Sequence, residues 1–382
     1  MMTVIMTGHQ LDRVREALCT GGAEAVFDLL VTWFREEKNY PRLFEARVMK
    51  KRHELGLPLI QTEAFGGLPP EVQQAFDQGF IEAAREVGSL FLADGEIVRA
   101  WPYFRAIGET APVAAAIERV KAGEGVEPII EIAFMEGVHP HKGFQLILEH
   151  HGICRAITAC EQSPAGKIRE KCARLLLTTL HAELVERLKR TIAQNEGQAP
   201  DTNRVPDLIS GRPWLFGEHT YYVDTSHLVS VVRFTLDLED RESLALGVEL
   251  TEYGRQLSPM FQYRGDPPFE NIHEDYGTYF RALLGEDVDG AVAHFRKKVE
   301  ESDPESAGTT PAEVLVTLLA RLKRYGEAIE VSLAHVPQSG AQQVACPTVL
   351  QLCQMAGDYG RLMDLARDRN DALHFAAGVL QA

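Results

Sequence analysis

From Leu11 to about Gly56 the apolar residues recur at spacings of three and four. They run Leu11, Val14 and Leu18, then Val26, Leu29, Leu30, Trp33 and Phe34, then Leu43, Phe44, Ala46, Val48 and Met49. That period lines each set along one face of a helix. Gly21-Gly22 predicts a break after the first helix, Asn39-Tyr40-Pro41 a break after the second, and Gly56-Leu57-Pro58 the end of the third. A loop through Gly66-Gly67 and Pro69-Pro70 follows, because those residues cannot continue a helix. The same period predicts helices over 71–93 and 96–108, with Asp94-Gly95 as the turn between them, and over 144–161, 168–195 and 241–256. The Lys, Arg and Glu at the end of 168–195 read as a solvent-facing helix. Two short apolar runs, 127–134 and 221–223, stay ambiguous between helix and strand. The pattern as a whole predicts an all-α fold.

Within residues 88–112 the sequence carries Gly88, Phe91, Ile97, Ala100, Phe104 and Pro112. Small residues at Gly88 and Ala100 let paired helices approach, while Phe91 and Phe104 fill the groove against a neighbour. A turn-and-helix signature recurs further on: Gly285 and Val288 lead to Ala291 and Phe295, Lys323 and Tyr325 to Ala328, Gly357 and Tyr359 to Leu362 and Ala366. Lys38 and Tyr40 leading to Leu43 are a weaker copy. The steps from Val288 to Tyr325 and from Tyr325 to Tyr359 are 37 and 34 residues. In these positions the chain resembles tetratricopeptide-type repeat proteins over about half its length. It departs from them at Ser332, where an aromatic is usual, and at Val316, where a glycine is. The resemblance implies an α-solenoid of antiparallel helix hairpins: N-terminal repeats over 1–126, an atypical middle over 127–275, and C-terminal repeats over 276–382.

The middle is where chemistry concentrates. Eight of the thirteen histidines lie between His139 and His273. His139-Pro140-His141 places two imidazoles in a loop, and Glu149, His150 and His151 follow on a helix. The stretch from Trp214 to Phe234 adds Glu218, His219, Tyr222, Asp224 and His227 just before and inside a new helix. Asp224-Thr225-Ser226 offers three N-cap side chains ahead of an apolar run. His227 then falls in the first turn, where the positive end of the helix dipole favours a neutral ring. Two readings stay open there. Asp224 and His227 either cap and pack a helix, or Asp224 orients His227 as a ligand or neutral base. His139, His141, His219 and His227 together form a candidate ligand set for zinc, iron or manganese, without any spaced metal motif. On the 144–161 helix, His151, Arg155, Thr158 and Gln162 form a polar stripe. It is either a solvated face or, through Arg155, a grip on an anionic group. His273-Glu274-Asp275-Tyr276 precedes another helix, whose N-terminus favours the acidic pair. The connection 257–271, with three prolines and three aromatics, is long enough to be functional or packed over something.

Composition narrows the classes. The chain has 382 residues, 45% hydrophobic and 25% charged, as in soluble globular proteins. A net charge of −16 opposes binding to nucleic acid or to anionic membranes. Six scattered cysteines without a CxxC pair read as reduced thiols rather than a disulfide framework. The N-terminal stretch lacks a basic n-region and cleavage site, and no run of some 18 apolar residues is found, so the expectation is a cytoplasmic protein without a membrane span. Phosphate-binding loops, dinucleotide fingerprints and nucleophile elbows are absent from the sequence. Two function classes follow: a scaffold whose concave surface binds a peptide or protein partner, and, as the alternative, a metal-dependent enzyme acting on a small anionic substrate through Asp224, His227 and Arg155.

Overall fold

The computed structural model describes residues 8–60, 68–164, 166–337 and 345–382. The first seven residues and Gly66-Gly67 of the expected loop lie outside the described residues. The fold is all-α: the described residues hold helices, turns and one isolated bridge between Arg264 and Asn271, with no strand. The ambiguous run 127–134 is helical, a short turn continued by a π-helical one, and 221–223 is irregular loop. By contacts the chain divides into two compact units, Met1–Gly152 and Ile153–Ala382. The boundaries expected at 126 and 275 both fall inside these units.

In the first unit α1 (Gly8–Glu36) packs on α2 (Tyr40–Glu54), α2 on α3 (Pro70–Ala93), and α3 on α4 (Ile97–Ala106). Then come α5 (Ala111–Ile117), α6 (Glu127–Ile130) and α7 (Pro140–His151). The core joins Val31, Leu43, Val87, Phe91, Trp101 and Phe104. A Cβ placed on Gly88 would lie 2.6 Å from Phe104, so only glycine lets that ring seat between the helices. Within α1, Gly22 adopts φ 68°, and the helix is broken there, where the sequence predicted it. An 18-residue window within Leu11–Glu36 nevertheless reaches a mean hydropathy of 1.3, enough by length and composition alone for a membrane-crossing helix. It is not an uninterrupted apolar run, since Glu24 and Asp28 divide it.

The turns between paired helices repeat one geometry. Lys38, Gly95, Lys323 and Gly357 take φ 53°, 79°, 61° and 68°. The next amide donates to the carbonyl five residues back: Asn39 to Phe34, Glu96 to Phe91, Arg324 to Leu319, Asp358 to Cys353, at 2.8–3.0 Å. This is the Schellman closure. Tyr40, Ile97, Tyr325 and Tyr359 then open the following helix. The recurring sequence signature therefore records a recurring turn.

The second unit opens with α8 (Ile153–Gln162) and α9 (Lys167–Glu196). The single helix expected over 144–161 is two, because Gly152, at φ 79° and ψ 179°, ends α7. The long α9 exposes Glu186, Arg187, Arg190 and Glu196 at its charged end but does not face solvent all round. Cys172, Leu176, Leu180, Leu184, Leu188 and Ile192 bury one continuous stripe of it, at steps of four. Around it stand α10 (Val205–Ile209), α11 (Thr225–Phe234) and α12 (Arg241–Gln256). Next in the chain are α13 (Ile272–Leu284), α14 (Val288–Glu301) and α15 (Pro304–Ala307). The unit closes with α16 (Thr310–Arg321), α17 (Tyr325–His335), α18 (Val349–Ala356), α19 (Tyr359–Asp368) and α20 (Ala372–Gln381). No disulfide joins the cysteines, and Cys160 and Cys172 are buried, which raises their thiol pKa to about 12 and about 11.

Candidate functional site

Asp224 caps α11. Its Oδ1 accepts from the amides of Ser226 at 2.8 Å and His227 at 3.2 Å, and from the Ser226 hydroxyl. The Ser226 hydroxyl and those amides hold its carboxyl below the usual range. The loop before it is anchored from within. The Tyr222 amide donates to the Tyr253 hydroxyl at 2.8 Å, and Arg187 donates to the Tyr222 carbonyl at 3.0 Å. Tyr253 is wholly buried, and burial lifts its pKa to about 12. His227 is half-buried in the first turn, whereas Glu218 and His219 are exposed.

The other sequence candidates lie apart from this loop. His139 caps α7 by accepting from the Lys142 amide and pairs through Nε2 with Glu118 at 2.7 Å. His141 is exposed in the first turn of α7, and Arg155 is exposed on α8. Among the described residues the three groups whose ligand atoms converge are Glu127, His150 and His151. The proposed quartet of His139, His141, His219 and His227 is not among such groups.

The opposite end of α11 leads to a site that the sequence reading did not assemble. Val229 and Arg233 of α11 help to wall a cavity of about 740 Å³ within the second unit. The connection 257–271 supplies Gly265, Asp266 and Phe269 to it, which explains its length. Ile272, Asp275, Tyr276 and Tyr279 of α13 also line the cavity, with Phe295 of α14 and Glu313, Val314, Thr317 and Arg321 of α16. Phe295 stands edge-on to Tyr279 at 5.9 Å and tilts on Phe269 at 6.4 Å, so one wall is aromatic.

The charged groups are held by specific partners. Asp275 is 6% exposed, and its Oδ1 meets His294 Nε2 at 2.7 Å and Lys298 Nζ at 3.0 Å. Its Oδ2 has no hydrogen-bond partner among the described residues. Asp275 thus faces inward from the first turn of α13, where the sequence reading gave it only a favourable place near the helix dipole. Lys298 also donates to the Pro268 carbonyl and lies 5.2 Å over Phe269, fixing the connection to α14. Arg321 spends its guanidinium on the carbonyls of Leu236 at 2.9 Å and Leu238 at 2.6 Å. Arg233 is paired with Glu161 and Asp237 with Arg169. Glu313 accepts from the Thr309 hydroxyl and from the Ala345 amide at 2.8 Å. Glu239 and Asp266 are exposed carboxylates with no ion pair among the described residues. Five carboxylates thus line the cavity against two guanidinium groups. Burial raises the pKa of Tyr276 and Tyr279, keeping both hydroxyls protonated at neutral pH.

Comparison of the chain with known protein families, with curated proteins and with solved structures finds no match.

Proposed function

We propose that this chain is a helical-repeat binding module, and that the cavity lined by α13 receives a basic, partly apolar segment of a protein partner. The observation that carries the reading is the lining itself: aromatic walls, five carboxylates, and two guanidinium groups already committed to partners. A Lys or Arg side chain entering beside Glu239 and Asp266 gains electrostatic attraction, while its apolar neighbours cover Phe269 and Phe295. The volume lies in the range of pockets that take one or two side chains or a small ligand. The overall charge of −16 steers such a partner toward the protein.

The repeat architecture belongs to the same proposal. The recurring Schellman turns and the seat of Phe104 against Gly88 support a tetratricopeptide-like hairpin as the building block. Of the enzyme alternative, it is metal binding that finds a convergent trio of ligands, and that trio lies outside the cavity. An array of short peptides tests the binding reading. Peptides that alternate Lys or Arg with Leu or Phe are expected to capture the full chain, and added salt is expected to weaken them. Equal capture by peptides with Asp or Glu at the same positions would overturn it.

A further inference from the structure

We infer that the first unit carries a zinc-class divalent cation site made by Glu127, His150 and His151. These residues each offer one ligand atom, and the three atoms lie within 4.8 Å of one another. His151 Nε2 already stands 2.8 Å from Glu127 Oε2. The His150 and His151 rings meet edge to face at 4.7 Å. Neighbouring residues inside a helix diverge by about 100°, which separates their side chains. Here α7 ends at Gly152, His151 is its last residue, and the two rings turn toward the same side.

The chemistry selects the ion. Two imidazoles and a carboxylate are donors for zinc and its neighbours rather than for magnesium or calcium, which take mostly oxygen. Around zinc, with bonds of roughly 2.0–2.1 Å, tetrahedral donors stand about 3.3 Å apart. His151 and Glu127 need therefore separate by only about half an ångström, and all three residues are exposed and free to adjust. The last turn of α7 adds the negative end of its dipole, which favours a cation. With three protein donors, a fourth position remains for water or for a donor from a partner. This trio is distinct from the cavity in the second unit, so neither proposal depends on the other.

The test is calorimetric titration of zinc chloride into the full chain, purified without a histidine tag. We expect one saturable site per chain, weakened roughly tenfold or more in His150→Ala, in His151→Ala and in Glu127→Gln. His139→Ala and His227→Ala are expected to bind as the parent does. Binding is expected to fall from pH 7.5 to 5.5, as protons compete for the imidazoles. The exposed positions of the trio leave the fold intact, and helical circular dichroism checks this for each variant. Absence of saturable binding overturns the site. So does binding by the His150→Ala/His151→Ala double variant equal to that of the parent.

Discussion

The α3–α4 hairpin and the surroundings of α13 use small residues for opposite ends. In the hairpin, Gly88 admits Phe104 closely, and the groove is lined mainly by apolar side chains, with Trp101 Nε1 the buried nitrogen there that has no partner among the described residues. Around α13, Gly254 admits the ring of His273 and Gly277 lies against Thr251, but here the closeness buries polar groups. His273 has neither ring nitrogen partnered among the described residues, and Asp275 leaves one oxygen unpartnered. Beside them the helices stop short of each other and leave the cavity. The first arrangement maximises contact. The second gives up contact and hydrogen bonds, which a folded chain retains only where something else compensates.

The largest expected effect breaks the packed side of this comparison. Phe104→Ala should lower stability by about 3–5 kcal/mol, since the ring is wholly buried and the groove cannot collapse around its loss. Phe295→Ala should cost less, because that ring already faces the hollow. Urea denaturation followed by tryptophan fluorescence and circular dichroism compares the two, and equal losses would remove the distinction.

Next comes the buried histidine. Burial lowers the His273 pKa from 6.5 to about 4. The unfolded chain therefore binds a proton, below its ordinary pKa, that the folded ring refuses. Stability is complete above about pH 6.5 and declines as pH falls toward 4, by up to about 3 kcal/mol. His273→Leu should flatten that part of the stability profile without weakening the protein at pH 7.5. A variant whose stability still falls as steeply over pH 6.5–4 as the parent's would assign the decline to other groups.

The smallest effect concerns the turns that both regions share. Lys323 holds a left-handed conformation that glycine adopts freely. Lys323→Gly should raise stability by about 0.5 kcal/mol, the relief of strain being partly offset by the more flexible unfolded chain. A thermal melt at or below that of the parent would show that the side chain contributes more than the strain costs.

The legible parts of the molecule are those with local causes. Helix period, the Gly22 break, the Asp224 cap and the Lys-x-Tyr turns all depend on residues within a few positions of one another. The α7–α8 break was less visible, since a glycine inside an amphipathic run reads the same whether or not it adopts positive φ. The charged residues at the end of 168–195 mask a buried stripe that is carried only by the step-of-four apolar positions. The cavity was out of reach for a different reason. Its residues come from α11, the 257–271 connection, α13, α14 and α16, and no spacing rule links Val229 to Arg321. Only the length and aromatic content of that connection hinted that it covers something. The histidine count pointed to His139, His141, His219 and His227, whereas the group whose ligand atoms converge, Glu127 with His150 and His151, comes together only through tertiary structure.

The central claim is that a partner's basic segment enters the cavity, and filling the cavity tests it most directly. Val314 lines it and is half-buried, so Val314→Trp places an indole in the hollow at little cost to the core. The strongest basic peptide from the array, titrated calorimetrically into parent and variant, should bind the parent. It should lose roughly tenfold or more of its affinity for a variant that melts within a few degrees of the parent, since about 1.4 kcal/mol of lost contact suffices for that change. A folded Val314→Trp variant that binds the peptide as tightly as the parent would place the partner elsewhere and contradict the account.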